Sequence, residues 1–396
     1  MTAISETGRP DPGAERALGG IRVVFPAALG PVPFAAMLLA DLGAEVVRID
    51  RVGATGVIGT PLEDDPRTRG QVSVGLDLKS PGGAEAAGRL IGSADVLLEG
   101  MRPGAMERLG LGPEPMRARH PGLIYARMTG WGQQGPLAGQ VGHDINYIAR
   151  AGALYPLGDP DRPPAVPLNL VGDFGGGGTY LVLGVLAALL QRERTGDGQV
   201  VDCAMVDGTA SLTTMVHAML AAGNWRAERG TNLFDGAAPF YRTYRTSDDR
   251  YVAVGAIEPA FHRALLDGLG IDHAEWPQHD RSRWEGQRAT LARIFAGRTR
   301  AEWVELFSGT DACVSGVSTP EEAAADPELA AREVFVDWDG ITQPAPAPRL
   351  SASPAAARPR CGSAADTTVV LSGLGYSAGE IDDLHRSGAA FSADRP

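Results

Sequence analysis

The sequence predicts an α/β fold: a parallel sheet covered by helices on both faces, with a smaller α+β domain set into the chain. Three observations predict it. Across residues 21–128, β-rich runs alternate with helical runs, as a parallel sheet requires, because each parallel pair needs a long crossover. Near Tyr241 this alternation changes to short strands and then to helices. The 396 residues, at roughly 100–200 per domain, allow two or three domains and a sizeable core.

Residues 1–18 are polar, carry Pro, Gly and both charge signs, and read as a loose tail. A β-rich run at 21–25 leads through a turn (26–33) into an apolar helix (34–43) stopped by Gly43. The strand Glu45-Val46-Val47-Arg48-Ile49-Asp50 follows. A helix over 82–93 precedes a strand at 96–98. A further strand at 123–128 ends at Thr129-Gly130-Trp131-Gly132. A Pro/Gly-rich crossing (152–167) and the run Gly175–Gly178 precede an apolar helix (179–194), a strand (199–203) and a second long helix (206–222). Strands at 240–245 and 251–256 flank a turn at 247–249, and helices dominate to 331. Residues 342–360 read as a Pro/Ala/Arg-rich linker. Within 369–387 the Ser377–Glu380 spacing resembles a capping sequence and predicts a terminal helix. The expected division is a large α/β domain over 19–224, a small α+β domain over 225–330 and a return to the large domain over 331–396. No internal repeat is visible.

Composition narrows the function. A hydrophobic share of 44% excludes wholesale disorder, and a net charge of −12 argues against nucleic acid as a partner. Lys79 is the only lysine, which leaves Schiff-base chemistry a single candidate. There is no phosphate loop and no G-x-S-x-G elbow. The first strand-to-helix turn has one glycine and three prolines, so the dinucleotide fingerprint fails there, although Asp50 could mimic its acid. His262, His273 and His279 lack metal-ligand spacing. Cys203, Cys313 and Cys361 are far apart and odd in number, which fits a reducing compartment. The N-terminus has no apolar signal core. The longest strongly apolar run, 180–190, is short of the ~20 residues that span a bilayer. A cytoplasmic protein without a membrane partner is expected.

Four segments offer chemistry. Gly172-Asp173-Phe174-Gly175-Gly176-Gly177-Gly178 stands directly before an apolar helix. A helix start presents unpaired N–H groups and a positive dipole end, and glycines let a ligand approach closely. The amides of Gly175 and Gly176 could hold a developing oxyanion, such as a thioester enolate, with Asp173 reaching the neighbouring carbon. Equally, Asp173 could simply cap the helix. Gly142-His143-Asp144-Ile145-Asn146-Tyr147 offers a histidine suited to proton transfer, or an ordinary helix-start residue. Glu258, before Pro259, could orient His143 across a domain cleft or stand exposed at a helix start. Arg51, Lys79, Arg102 and Arg108 form a basic set, three of them near predicted strand ends, where such sheets bind nucleotides; otherwise they are surface charge.

Taken together these segments resemble the family III CoA-transferase superfamily, and within it the α-methylacyl-CoA racemases. The matching stretches run in family order: DLGAEVVRID (41–50), DLKS (77–80), VLLEGMRPG (96–104), ERLGLGP (107–113), LIYARMTGWGQQGP (123–136), GHDINYI (142–148), PLNLVGDFGGGG (167–178), GQVVDCAMVDG (198–208) and RYVAVGAIEP (250–259). The resemblance implies a Rossmann-like large domain, a smaller domain and an interlocked homodimer. It makes His143 and Asp173 the acid/base groups on opposite faces of a substrate α-carbon, with Glu258 pairing to His143. It places Arg51, Lys79, Arg102 and Arg108 on the CoA nucleotide, and Asn169 and Tyr147 beside the substrate. The implied reaction inverts C2 of a 2-methylacyl-CoA through an enolate, with no cofactor beyond the CoA of the substrate and no metal. Relatives that transfer CoA use the aspartate at the Asp173 position as a nucleophile, which is one alternative. Enolate chemistry on another acyl thioester is a second. The chain departs from the family at Phe25-Pro26-Ala27-Ala28 and in the weakly basic run before DLKS.

Overall fold

Short β-branched runs build the sheets of the computed structural model, which describes residues 16–54, 59–338, 340–355 and 358–393. The strands, in chain order, are β1 (Arg22–Pro26), β2 (Glu45–Asp50), β3 (Gln71–Leu76), β4 (Val96–Glu99), β5 (Ile124–Thr129), β6 (Val200–Ala204), β7 (Tyr241–Arg245), β8 (Tyr251–Gly255), β9 (Val314–Gly316), β10 (Phe335–Trp338), β11 (Ile341–Pro344) and β12 (Ala390–Phe391). The helices used below are α1 (Pro31–Asp41), α2 (Pro81–Gly92), α3 (Ala105–Arg108), α4 (Pro113–Arg119), α5 (Asp144–Arg150), α6 (Tyr180–Thr195), α7 (Met205–Leu212), α8 (Thr214–Ala221) and α9 (Pro259–Leu269).

The main sheet has seven strands in the order β12-β3-β2-β1-β4-β5-β6. All pairs are parallel except β12 with β3. The chain runs outward from β1 to β2 and β3, then returns to the other side of β1 for β4, β5 and β6. That reversal makes the carboxyl ends of β1 and β4 a topological switch point, where α/β sheets bind ligands. The pleat alternates side chains between two cores. Val23, Phe25, Val46, Leu98 and Ala126 face one, while Val24, Val47, Ile49, Leu97 and Tyr125 face the other.

The chain divides into two compact units. One comprises residues up to 151, 168–212 and from 331 on; the other comprises 152–167 and 213–330. The division therefore moves the crossing 152–167 and helix α8 out of the expected large domain. The expected helix 206–222 is broken at Thr213 into α7 and α8, where the boundary falls. The second unit packs Phe240, Tyr244, Leu265, Trp284, Phe295 and Trp303 against the antiparallel sheet β7-β8-β9.

Other expectations change too. β3 was not foreseen. Residues 342–360 do not start as a linker, because β10 and β11 form an antiparallel hairpin that includes Ile341–Pro344. Residues 1–15 of the expected tail lie outside the described residues, but Leu18 is buried and its N–H donates to the Leu42 carbonyl. The apolar helix is longer than expected. Leu170–Thr195 is continuous over 26 residues, long and apolar enough to cross a membrane by length and composition, yet 44% of its apolar window is buried. Leu181, Val182, Val185 and Leu189 face the first core.

After the hairpin, residues 358–367 return to the sheet. Arg358 donates to the carbonyls of Ala40 and Ala44, closing the end of α1. Arg48 donates to the carbonyls of Cys361 and Gly362, and the Ala364 N–H donates to Asp50. The Ser377–Glu380 capping box forms as the spacing predicts, and it opens a helix at Ala378–Arg386.

Candidate active site

Two cavities open at the carboxyl ends of the parallel strands. The first, of about 700 Å³, is bordered by the residues that follow β1, β2 and β3, and by α3. It includes Arg51, Lys79 and Arg108. The second, of about 540 Å³, lies at the switch point and is bordered by Leu29, Gly100, Arg102, Thr129, Trp131, His143 and Tyr147 among others. Met101 and Arg108 border both. The structure thus brings three of the four expected cations to one cavity and places the fourth, Arg102, with His143 on the next. All four are exposed, and among the described residues none is held in an ion pair. Asp50 cannot serve a ribose: it is fully buried, with Arg48 Nε at 2.7 Å and the Ala364 N–H at 3.0 Å.

His143 precedes α5 as its N-cap, with extended backbone, and its side chain is exposed. The segment around it is held from several sides. The His143 N–H donates to Asn146 Oδ1 at 3.0 Å. The Tyr147 hydroxyl donates to the Gly142 carbonyl. Tyr147 packs edge-on to Trp131, and its ring lies so close to Gly130 that a Cβ there would stand 2.0 Å from it. Asp144 is buried, and its Oδ2 accepts from the N–H groups of Gly172 (2.6 Å) and Asp173 (2.7 Å).

Asp173 is half-buried, and its Oδ2 takes the Asn169 amide N–H at 3.1 Å. The carboxylate lies against Gly30, where a Cβ would stand 3.1 Å from Oδ2. Gly30 also has φ +68°, so both space and backbone demand glycine there. Its neighbours Leu29 and Pro31 border the second cavity, while Asp173 itself is not among the residues that line it. Burial pushes the Asp173 carboxyl above the usual carboxylate range. The Asn169 hydrogen bond opposes this, the Asp144 charge adds to it, and nearby His143 lowers it.

One expectation needs correction. Gly175 and Gly176 do not stand before the helix: they lie within the π-helical turns Leu170–Thr179 that run into α6, so their amides are not the open ones. Their small size serves packing, since a Cβ on Gly176 would stand 2.7 Å from the Thr209 backbone nitrogen. Tyr147 is largely buried and its hydroxyl donates to the Gly142 carbonyl, while the residue borders the second cavity. The open amides near His143 are those of Asp144 and Ile145 at the head of α5. Glu258 is exposed and is the N-cap of α9, in the second unit. Among the described residues no cluster of His, Cys, Asp and Glu is arranged for a metal.

This geometry has known counterparts. A family model described as CoA-transferase family III matches residues 18–365. The chain belongs to CoA-transferase family III. Family III relatives include the alpha-methylacyl-CoA racemase of Mus musculus, 46% identical over 372 residues that cover 93% of this chain and 96% of the relative. The racemase of Homo sapiens is 46% identical over 341 residues, covering 86% and 88%. The succinyl-CoA–D-citramalate CoA-transferase of Chloroflexus aurantiacus is 32% identical over 364 residues, covering 86% and 89%. Among solved structures, a CaiB/BaiF family protein from Brucella suis matches with a TM-score of 0.77 and 26% identity, covering 91% of this chain and 99% of that one. The resemblance read from the sequence motifs is borne out.

Within this family III chain, the sequence pointed to His143 and Asp173 but not to what holds them. Asp144 directly follows His143, and adjacent helical side chains diverge, so local spacing gives it no partner. Its actual partners are 28 and 29 residues away, a separation no local pattern encodes. Gly30 and Gly130 gave one available signal: each is a glycine inside or beside a turn that follows a strand.

Proposed function

We propose that this chain is an acyl-CoA isomerase that inverts C2 of a 2-methylacyl-CoA, as alpha-methylacyl-CoA racemases do. The observation that carries the reading is that His143 borders the switch-point cavity with Arg102 and Arg108, cations without an ion pair among the described residues, and lies near enough to Asp173 to act on its charge. The identity to two racemases supports it. In this reading Arg51, Lys79, Arg102 and Arg108 take the phosphates of CoA, since guanidinium and ammonium groups match phosphate oxygens. The thioester lies at the second cavity. One of His143 and Asp173 removes the C2 proton, and the other returns one to the opposite face. The enolate oxygen is held by the open amides of Asp144 and Ile145, in place of the expected Gly175 and Gly176. Burial suits Asp173 to this task, because a raised carboxyl pKa lets it hold and release a proton closer to neutral pH. Glu258 pairs with His143, the working form is a homodimer, and the enzyme acts in the cytoplasm without a separate cofactor.

The test is hydrogen exchange at C2 of a 2-methylacyl-CoA in deuterated water. The wild type is expected to exchange and racemise, and His143→Ala and Asp173→Ala are each expected to lower racemisation by roughly 10²–10⁴-fold. Absence of exchange in the wild type, or full racemisation by both variants, overturns the reading. A second reading, CoA transfer through Asp173 as nucleophile, is favoured by the transferase relatives. Trapping an Asp173 acyl adduct with hydroxylamine would establish it.

A further inference from the structure

We propose that Asp144 is the positioning residue that fixes both acid/base groups, setting the Asp173 backbone with its buried carboxylate while it anchors the turn that carries His143. This rests on the reading of His143 and Asp173 as the proton-transfer pair.

The helical segment that carries Asp173 begins at Leu170 and has no side-chain cap of its own. Its natural cap, Asn169, spends its amide on the Asp173 carboxylate instead. Two of the N–H groups that need an acceptor at this helix start, those of Gly172 and Asp173, find it in Asp144 Oδ2, on a different helix. A carboxylate at a helix start makes charge-assisted bonds and favours the positive dipole end. The fit leaves no slack, since a Cβ on Gly172 would stand 2.6 Å from Asp144 Oδ2.

Asp144 is also the first residue of α5, directly after His143. A shift of its side chain moves the Asp173 backbone, and a shift of its backbone moves His143. It is 6% exposed, and its Oδ1 is buried without a hydrogen-bond partner. A buried, half-satisfied carboxylate is a feature that sites of function retain and ordinary cores avoid. The groups that act on Asp173 are Asn169, Asp144, His143 and, more weakly, Arg67, while the Tyr147 hydroxyl is nearby and neutral.

Asp144→Ala and Asp144→Asn separate the roles. In racemisation of a 2-methylacyl-CoA, Asp144→Ala is expected to lower kcat by about 10²-fold, the scale of a 1 Å misplacement, with KM within about threefold of the wild type. Asp144→Asn keeps an oxygen for both N–H groups and removes the charge. It is expected to restore most of kcat and to move the Asp173 carboxyl titration to lower pH, because a like charge has gone. That titration is followed by ¹³C NMR of aspartate-labelled protein, with Asp173→Asn to assign the signal, so it does not depend on turnover. An unchanged kcat in Asp144→Ala overturns the proposal, as does an Asp173 titration unmoved in Asp144→Asn. If the wild type fails to exchange C2, the racemase reading falls, while the titration still decides whether Asp144 sets Asp173. Should Asp144→Ala not fold, Asp144→Asn decides alone.

Discussion

Asn169 holds the Asp173 carboxylate by one amide N–H, and that bond opposes the burial that raises the carboxyl's pKa. Replacing Asn169 by Ala removes a donor that favours the charged form, so the Asp173 pKa should rise further. In the direction where Asp173 acts as base, activity is lost as pH falls through that pKa. The acid limb of the kcat–pH profile is therefore expected to move to higher pH in Asn169→Ala, with the alkaline limb unmoved; steady-state racemisation across pH checks it. At this scale the sequence pointed to His143 and Asp173 because each stands in a patterned neighbourhood. The bonds of Asn169 to Asp173 and of Tyr147 to Gly142 were not readable from it: they are only four and five residues away, but no spacing pattern says which nearby group each side chain takes. The arginines divide the same way. Arg48, Arg69 and Arg127 are buried in pairs with Asp50, Asp41 and Glu99, while Arg51, Arg102 and Arg108 border the cavities unpaired.

Among elements, the glycine-rich turns before α6 explain how three helices converge on the site. Cβ atoms on Gly177 and Gly178 would stand 3.0 Å and 2.7 Å from side-chain atoms of Pro31 and Phe34 on α1, and one on Gly208 would stand 1.8 Å from the Gly176 carbonyl oxygen. The close approach of α7 to Gly176 thus needs glycine on both sides. Gly208→Ala forces backbone apart and is expected to destabilise by at least about 1–3 kcal/mol, read as a lowered urea midpoint at constant slope. Apart from β3, the strand and helix order in the first hundred residues followed from hydrophobic periodicity, and β2 was placed to the residue. β3 was missed because its Gln71-Val72-Ser73-Val74-Gly75-Leu76 run is interrupted by Gly and polar residues. Its Ser73 is satisfied by Gly362 and Asp366, far along the chain. The glycine run was misread as an anion site because a packing glycine and a ligand-cradling glycine look alike in one sequence.

Over the whole molecule, a chain of net charge −12 gathers exposed cations at the carboxyl ends of its sheet. A sum over the chain could not reveal that. The parallel sheet and the insertion of a second, antiparallel unit were both readable, because the periodicity changes within that unit, near Tyr241. The return of the chain over 331–396 was expected, but the bonds that hold it were not, since they join distant residues. Asp50 binds the guanidinium of Arg48 and the N–H of Ala364, and so ties the return segment to the central strands. Asp50→Ala leaves Arg48 buried without its carboxylate and is expected to cost about 3–5 kcal/mol, measured by urea denaturation.

The bond from Arg48 to the Gly362 carbonyl spans 314 residues, and Gly388 borders the first cavity. A ribosome therefore makes Arg51, Lys79 and Arg108 long before it makes the residues that complete their cavity. Until residue 388 has been made the nascent chain exposes an unfinished cleft. A ligand of that cleft can lend its binding energy to folding only after β12 has been made and has reached β3.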